Sequence, residues 1–342
     1  MTRMRANGAL ASAGVRLAGT GSALPARRVT NADLERVMDT SDEWIVQRTG
    51  IHERRIADRE AGETTASLSA TAVRAALADA QIAPTDLDLI LCATMTPDMP
   101  TPSVACVVAS ELGAGNIGAI DMNAACSGFV YAINHAYALI KAGMARTIAV
   151  IGADSITRHM DFSTYGRGTS ILFGDGAGAA VLCATDDASK GLIAQAMHSD
   201  GGGGKHLFIP TCRGDFYNAE DFDERKLEKV QMHGSAVFKF AVGTFPDLIQ
   251  LTLDRAGMAA EDVDHYVCHQ SNMRILHAAR DRFGLPEEKL CVNIDRVGNT
   301  VAASVPLVLD EQRRAGRIRE GNRVMFLAFG AGLTWASSLW QL

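Results

Sequence analysis

Three side chains in this sequence stand where they can do chemistry: Cys126, His269 and Asn299. Cys126 follows the apolar run IGAIDMNAA and opens SGFVYAINHAYALIKAG. In that segment Val130, Ile133, Ala136, Tyr137 and Ile140 recur at three- and four-residue steps. The pattern predicts a strand turning sharply into a buried helix that Gly143 closes. The small neighbours Ala124, Ala125, Ser127 and Gly128 leave the backbone approachable, and the unpaired amides of a first helical turn point back at the sulfur. A thiol so placed is expected to have its pKa lowered from about 8.5 toward neutrality. The same amides can hold an oxyanion when a thiolate attacks a carbonyl. A lone cysteine is more often merely buried; the small residues on both sides favour the nucleophile.

His269 ends the apolar run DHYVC, just before a helical pattern that runs to Gly284. Sites in α/β sheets form at the carboxyl ends of strands. Most single histidines are structural, and His206, His233 and His277 are assigned to that class. His269 differs from them by position. Asn299 lies in DRVGNTVAASVP, read as a strand end, a Gly-Asn turn and a helix, where an asparagine can also be simply a cap. Near the end, FGAGLTW joins two predicted strands through Gly330, Ala331 and Gly332, whose amides can face a cleft and supply a second oxyanion donor.

The elements that position these groups occur twice. Leu77, Ala80, Asp86, Asp88 and Cys92 recur as Leu253, Ala256, Asp262, Asp264 and Cys268 at an offset of 176. TIAVIGA (147–153) matches RVMFLAF (323–329) at the same offset, and IDMN (120–123) lies close to IDRV (294–297). The prediction is two duplicated α/β halves, 15–185 and 186–342, after a flexible extension over 1–14. Each has mainly parallel strands covered by helices. Helices are expected over 31–39, 65–81 and 102–112, with Asn31 as an N-cap and strands at 87–96 and 145–154. TSDEWIVQRTGIHERR reads as a loop or broken helix, SDGGGGKHLFIP as a flexible loop, and 171–184 as two extended segments across a glycine turn.

Composition narrows the function. At 342 residues, 47% hydrophobic and 21% charged, the chain has the make-up of a globular protein. A net charge of −6 argues against non-specific nucleic-acid binding and leaves an anionic partner in need of a local basic patch. No stretch approaches the roughly 20 apolar residues of a membrane span, and the N-terminus lacks a signal-peptide core. Seven scattered cysteines with no C-x-x-C pair argue against a zinc site or disulfide framework and fit a reducing cytoplasm. GDGAGA looks like a nucleotide loop, but no Lys follows and the next residues, AAVLCA, read as strand rather than helix. Tight backbone packing under the active site is the expected use of those glycines.

The set AACSGF, HQSNMR, GNTVAASVP, FGAGLTW and TSDEWIVQRTGI, in that relation along residues 15–342, resembles β-ketoacyl-acyl carrier protein synthase III, a thiolase-fold initiating condensing enzyme. The resemblance implies a homodimer with a five-layer αβαβα core. It implies decarboxylative Claisen condensation of an acyl-CoA primer with malonyl-acyl carrier protein, initiating fatty acid biosynthesis. No metal or resident cofactor is called for, since acyl-CoA is a substrate. Elongating synthases pair the cysteine with two histidines, and degradative thiolases place a second cysteine near the C-terminus; neither pattern is present here. A papain-like hydrolase would carry its cysteine in a C-G-S-C-W segment, which is absent. A polyketide-starter or quinolone-type signal synthase using the same Cys-His-Asn set stays open as an alternative.

Residue by residue, the resemblance implies that Cys126 takes the acyl group while the amides of Cys126 and Ala331 hold the oxyanion, and that His269 and Asn299 stabilise the enolate. Trp44, Arg48, Arg167 and Asn272 would bind coenzyme A. Lys239, Arg274, Arg280 and Arg282 would dock the acidic carrier protein. Thr101 and Phe329 would bound the acyl pocket. Thr101 stands where a short-primer relative has phenylalanine at the dimer interface, and this predicts acceptance of primers longer than acetyl.

Overall fold

A computed structural model describes residues 12–342, and its principal strands gather into two five-stranded sheets of the same order. The first is built from β1 (Gly14–Ala23), β2 (Leu89–Ala93), β3 (Gly118–Met122), β4 (Thr147–Asp154) and β5 (Gly176–Thr185), arranged β1-β5-β4-β2-β3. The second is built from β6 (Gly191–Ser199), β7 (His265–Cys268), β8 (Leu290–Cys291), β9 (Arg323–Gly330) and β10 (Thr334–Gln341), arranged β6-β10-β9-β7-β8. Of the extension expected over 1–14, residues 1–11 lie outside the described residues, and Gly14 already belongs to β1.

Each sheet has two parallel and two antiparallel pairings, so both are mixed where mainly parallel sheets were expected. The connection from β9 to β10 shows why. Three residues can return the chain only antiparallel.

Of the two readings of TSDEWIVQRTGIHERR, loop or broken helix, the second holds: helix α1 (Asp42–Thr49) occupies its middle. Ser41 caps it by accepting the Trp44 N–H at 3.1 Å, and Gly50 ends it with φ of 76°. The helix over 31–39 is shorter than expected, Asn31–Glu35, and its cap is Thr30 rather than Asn31. Helices α2 (Thr65–Ala80) and α3 (Val104–Leu112) cover the outer face of the first sheet, packing Val73, Leu77 and Val108 on Ile90 and Ile151. Helix α4 (Gly128–Lys141) lies between the sheets. Helices α5 (Gly234–Ala256) and α6 (Met273–Phe283) cover the outer face of the second sheet, and α7 (Ser304–Arg314) joins α4 in the middle layer. Phe129, Ile133, Val305 and Leu309 from α4 and α7 meet Val150 of one sheet and Phe326 and Trp340 of the other. Along β4, Ile148 and Val150 enter this central core while Ala149 and Ile151 enter the outer one, the two-residue alternation of a strand covered on both faces. The result is the expected five layers, αβαβα.

The duplication holds in hydrogen bonds as well as in order. Asp88 accepts the Thr147 N–H at 3.0 Å at the start of β4, and Asp264 accepts the Arg323 N–H at 2.7 Å at the start of β9. The pairing of IDMN with IDRV is corrected: residues 120–122 lie in β3, whereas Ile294–Val297 is a single helical turn. Gln270 Oε1 starts that turn by accepting the N–H groups of Asn293 and Ile294, at 3.0 and 3.2 Å. At the true offset of 176, Asn123 corresponds to Asn299.

Two glycine tracts fold tighter than expected. SDGGGGKH forms a 3-10 turn, Gly201–His206, and Asp200 and Leu333 exchange backbone bonds of 2.8 and 2.7 Å beside it. GDGAGA runs into the single strand β5. There a Cβ on Gly178 would lie 2.8 Å from the Leu307 backbone nitrogen, so the glycine lets α7 sit directly on the sheet. Among the described residues only α5 has the length and apolarity of a membrane-crossing helix, and its Phe245, Leu248, Ile249 and Leu253 are buried on the second sheet.

Candidate active site

Between β3 and α4 the chain makes one 3-10 turn, Ala125–Ser127, with Cys126 at its tip. Asn123 Oδ1 accepts the Ala125 N–H at 3.2 Å, and Ala125 takes φ of 45°, a conformation that residues with a side chain rarely adopt. Ser127 Oγ donates to Thr334 O at 3.0 Å, and Thr334 Oγ1 donates to Ala124 O at 2.9 Å, clamping the turn to β10. Gly330 lies against it so closely that a Cβ would come within 2.9 Å of Cys126 Cβ. The backbone N–H groups of Cys126 and Ala331 both favour negative charge on the sulfur.

The expected lowering of the thiol pKa is corrected. Burial pushes Cys126 up to about 12, with the Asp154 carboxylate adding to the rise and the two backbone N–H groups opposing it. The sequence could not show that the turn closes under a complete core. Cys126 is only 5% exposed.

His269 follows β7 at its carboxyl end, 1% exposed, and burial lowers its pKa to about 3, so the imidazole is neutral. Its backbone N–H is tied to Leu327 O at 2.7 Å, its Nδ1 meets Ser304 Oγ at 2.7 Å, and the Phe329 ring packs edge-on at 5.5 Å. Asn299 is fixed twice. Its backbone bridges Leu172 and Gly174, at 2.8 and 3.0 Å, and its Oδ1 accepts the Val301 N–H at 2.9 Å. With the carbonyl side of the amide so engaged, the Nδ2 donors are left for the cavity. Cys126, His269 and Asn299 line one cavity of about 100 Å³, whose walls include Phe238, Ile275 and Leu333. Ser304 and Gln270 are the functional neighbours that sequence reasoning missed; Ser304 was hidden in a helix start and Gln270 in the HQSN motif.

The remaining expectations divide. Trp44 carries the Arg48 guanidinium at 4.5 Å and that of Arg167 at 5.3 Å, and Asn272 Nδ2 donates to Arg48 O at 3.0 Å while lining the cavity. Trp44, Arg48 and Arg167 are thus grouped, and Asn272 links Arg48 to the cavity. Lys239 and Arg274 are exposed, with Arg274 over the Phe238 ring at 5.1 Å. Arg280 and Arg282 are instead paired with Asp281 at 2.8 Å and Asp247 at 3.5 Å.

Phe329 lines the cavity that Cys126 shares and packs edge-on against His269 at 5.5 Å. A second, apolar cavity of about 30 Å³ also reaches Cys126 and is lined by Met95, Ile156, Phe173, Ile209, Val230 and Val301. Thr101 is exposed and does not line it.

A duplicated αβαβα core with cysteine, histidine and asparagine converging from two halves defines a thiolase-fold condensing enzyme. Family models for 3-oxoacyl-[acyl-carrier-protein] synthase III match residues 120–201, and for its C-terminal region residues 253–342. The β-ketoacyl-[acyl-carrier-protein] synthase III of Caldanaerobacter subterraneus is 45% identical over 321 residues, covering 94% of this chain and 96% of that one. The crystal structure of the synthase III from Aquifex aeolicus is 39% identical with a TM-score of 0.88, over 96% of this chain and all of that one. The priming β-ketosynthase of the R1128 polyketide pathway is 34% identical with a TM-score of 0.89, over 97% of each chain. The chain belongs to the β-ketoacyl-acyl carrier protein synthase III family, condensing enzymes that carry out Claisen-type acyl transfer in fatty-acid biosynthesis.

Proposed function

We propose that this enzyme moves a short acyl group from acyl-CoA to Cys126 and condenses it with malonyl-acyl carrier protein. The observation that carries the reading is the convergence of three groups on one cavity, with Asn299 held so that its donors face inward.

In the first half-reaction the Cys126 sulfur attacks the thioester carbonyl, and the N–H groups of Cys126 and Ala331 take up the oxyanion charge. The thiol proton leaves on coenzyme A as the carbon–sulfur bond of the donor breaks. In the second, the malonyl carbon–carbon bond breaks and carbon dioxide departs, placing an electron pair on the enolate. Neutral donors from His269 and Asn299 suit that oxygen, where a carboxylate would repel it. The carbanion attacks acyl-Cys126, and the sulfur leaves and takes back a proton from solvent.

The indole of Trp44 between two guanidiniums supports binding of the adenine end of coenzyme A. Exposed Lys239 and Arg274 at the mouth support docking of an acidic carrier protein. Strand β3 is a free sheet edge with Ile120 53% exposed, and this supports a homodimer paired along β3. All seven cysteines are free, in keeping with a cytoplasmic enzyme.

The test is intact-protein mass spectrometry after acetyl-CoA, followed by malonyl-acyl carrier protein. A stable adduct on Cys126 that disappears with release of carbon dioxide is expected, and no adduct in Cys126→Ser. A hydrolase would release free acid without accumulating the adduct.

A further inference from the structure

His269 and Ser304 form a pair that the other half of the molecule lacks. At the offset of 176 their counterparts are Ala93 and Gly128, and a Cβ on Gly128 would lie 2.9 Å from that of Ala93. The same close approach of strand end to helix start therefore exists twice. Only in the second half does it carry a hydroxyl against an imidazole.

Ser304 is fully buried, and three groups surround its Oγ: His269 Nδ1 at 2.7 Å, Val301 O at 3.0 Å and the Gln270 N–H at 3.4 Å. A hydroxyl has one proton to give. The Val301 carbonyl already accepts the backbone N–H of Ser304. The contact to Nδ1 is the shortest of the three, at a length typical of an O–H donor and short for an N–H one. The Gln270 N–H faces a lone pair of the same oxygen, so the hydroxyl proton goes either to Val301 O at 3.0 Å or to Nδ1 at 2.7 Å, and the shorter contact points to Nδ1.

We propose that Ser304 is a positioning residue that donates its hydroxyl proton to His269 Nδ1 and thereby holds the neutral imidazole in the tautomer with its proton on Nε2. This rests on the reading that His269 stabilises the malonyl enolate, because only a protonated Nε2 can donate to that oxygen. The opposite tautomer would turn a lone pair toward it. Since the imidazole stays neutral when buried, a second proton cannot mask a wrong tautomer.

The experiment compares the natural enzyme with Ser304→Ala by long-range ¹H–¹⁵N correlation of the ¹⁵N-labelled histidine rings, with His269→Ala identifying the His269 signals. A proton on Nε2 is expected in the natural enzyme, and a shift of the His269 signals toward the Nδ1–H pattern in Ser304→Ala. Decarboxylation of malonyl-acyl carrier protein should fall about tenfold or more in kcat, with KM within about twofold. Ser304→Thr, which restores the hydroxyl, should restore the Nε2–H signal. A proton on Nδ1 in the natural enzyme, or an unchanged tautomer in Ser304→Ala, overturns the proposal. If the natural enzyme fails to decarboxylate malonyl thioesters, the functional reading falls while the ring spectra still decide the role of Ser304.

Discussion

Asn123 and Asn299, 176 residues apart, perform the same backbone task in the two halves: each side-chain oxygen accepts the N–H two residues on, from Ala125 at 3.2 Å and Val301 at 2.9 Å. Those two residues share the rare positive φ, 45° and 54°. One duplicated turn thus carries both Cys126, the proposed nucleophile, and Asn299, the proposed enolate donor. In the first half the useful group is the residue at the tip of the turn. In the second it is the asparagine that shapes it.

Because Asn299 Oδ1 is engaged by the turn and Nδ2 is free, Asn299→Asp should keep the turn and replace the donor with a second acceptor. Decarboxylation is expected to drop by about a hundredfold or more, and Asn299→Ala and His269→Ala should behave alike, while each variant still forms the acyl adduct on Cys126. Quantifying adduct and carbon dioxide separately checks this. Loss of the adduct with decarboxylation intact would reverse the assigned roles.

Burial of Cys126 predicts the pH behaviour of the free enzyme. With the thiol pKa pushed up to about 12, alkylation by iodoacetamide should climb about tenfold per pH unit between about pH 6 and 9, without a plateau. A plateau near neutrality would show that the two N–H groups outweigh burial. His269 adds the opposite kind of dependence. Its folded pKa, about 3, lies below the ordinary 6.5, so the stability it contributes is complete above 6.5 and is lost as pH falls from there through 3.

The apolar cavity beside Cys126 holds about 30 Å³, room for a short acyl chain, and Met95 forms part of its wall. Against the longer-primer expectation from Thr101, acetyl-CoA should be preferred. Met95→Ala should raise kcat/KM for six- to eight-carbon primers by about tenfold, since each buried methylene contributes about 0.8 kcal/mol. A larger effect from Thr101→Phe, measured on the same primer series, would place the limit at the partner subunit instead.

Asp154 and Gly330 occupy equivalent strand ends. Gly330 leaves space before the Cys126 N–H, whereas Asp154 fills the corresponding place and accepts the Ala302 N–H at 3.0 Å, along with those of Met95 and Thr96 at 2.9 and 3.1 Å. In Asp154→Asn the amide would set an N–H against one of these donors, and a loss of about 2 kcal/mol in urea unfolding is expected. An unfolding midpoint unchanged from the natural enzyme would mean that the network relaxes around the amide.

The sequence by itself determined the architecture, because the repeat at 176 and the alternation of apolar runs are local patterns whose periods follow from backbone geometry. Cys126 and His269 could be singled out there too, each where a strand gives way to a helix. What only the tertiary structure decided depends on the surroundings. The Cys126 pKa follows from burial by residues far away in the chain, which the local helix start does not report. The Gln270 carbonyl turned 294–297 into a helical turn where the local pattern read as strand. The pairing of Arg282 with Asp247, the place of Phe329 beside His269, and the contact of Ser304 with the imidazole all arise where segments meet. Such contacts leave no period in the sequence, since packing between distant elements fixes them.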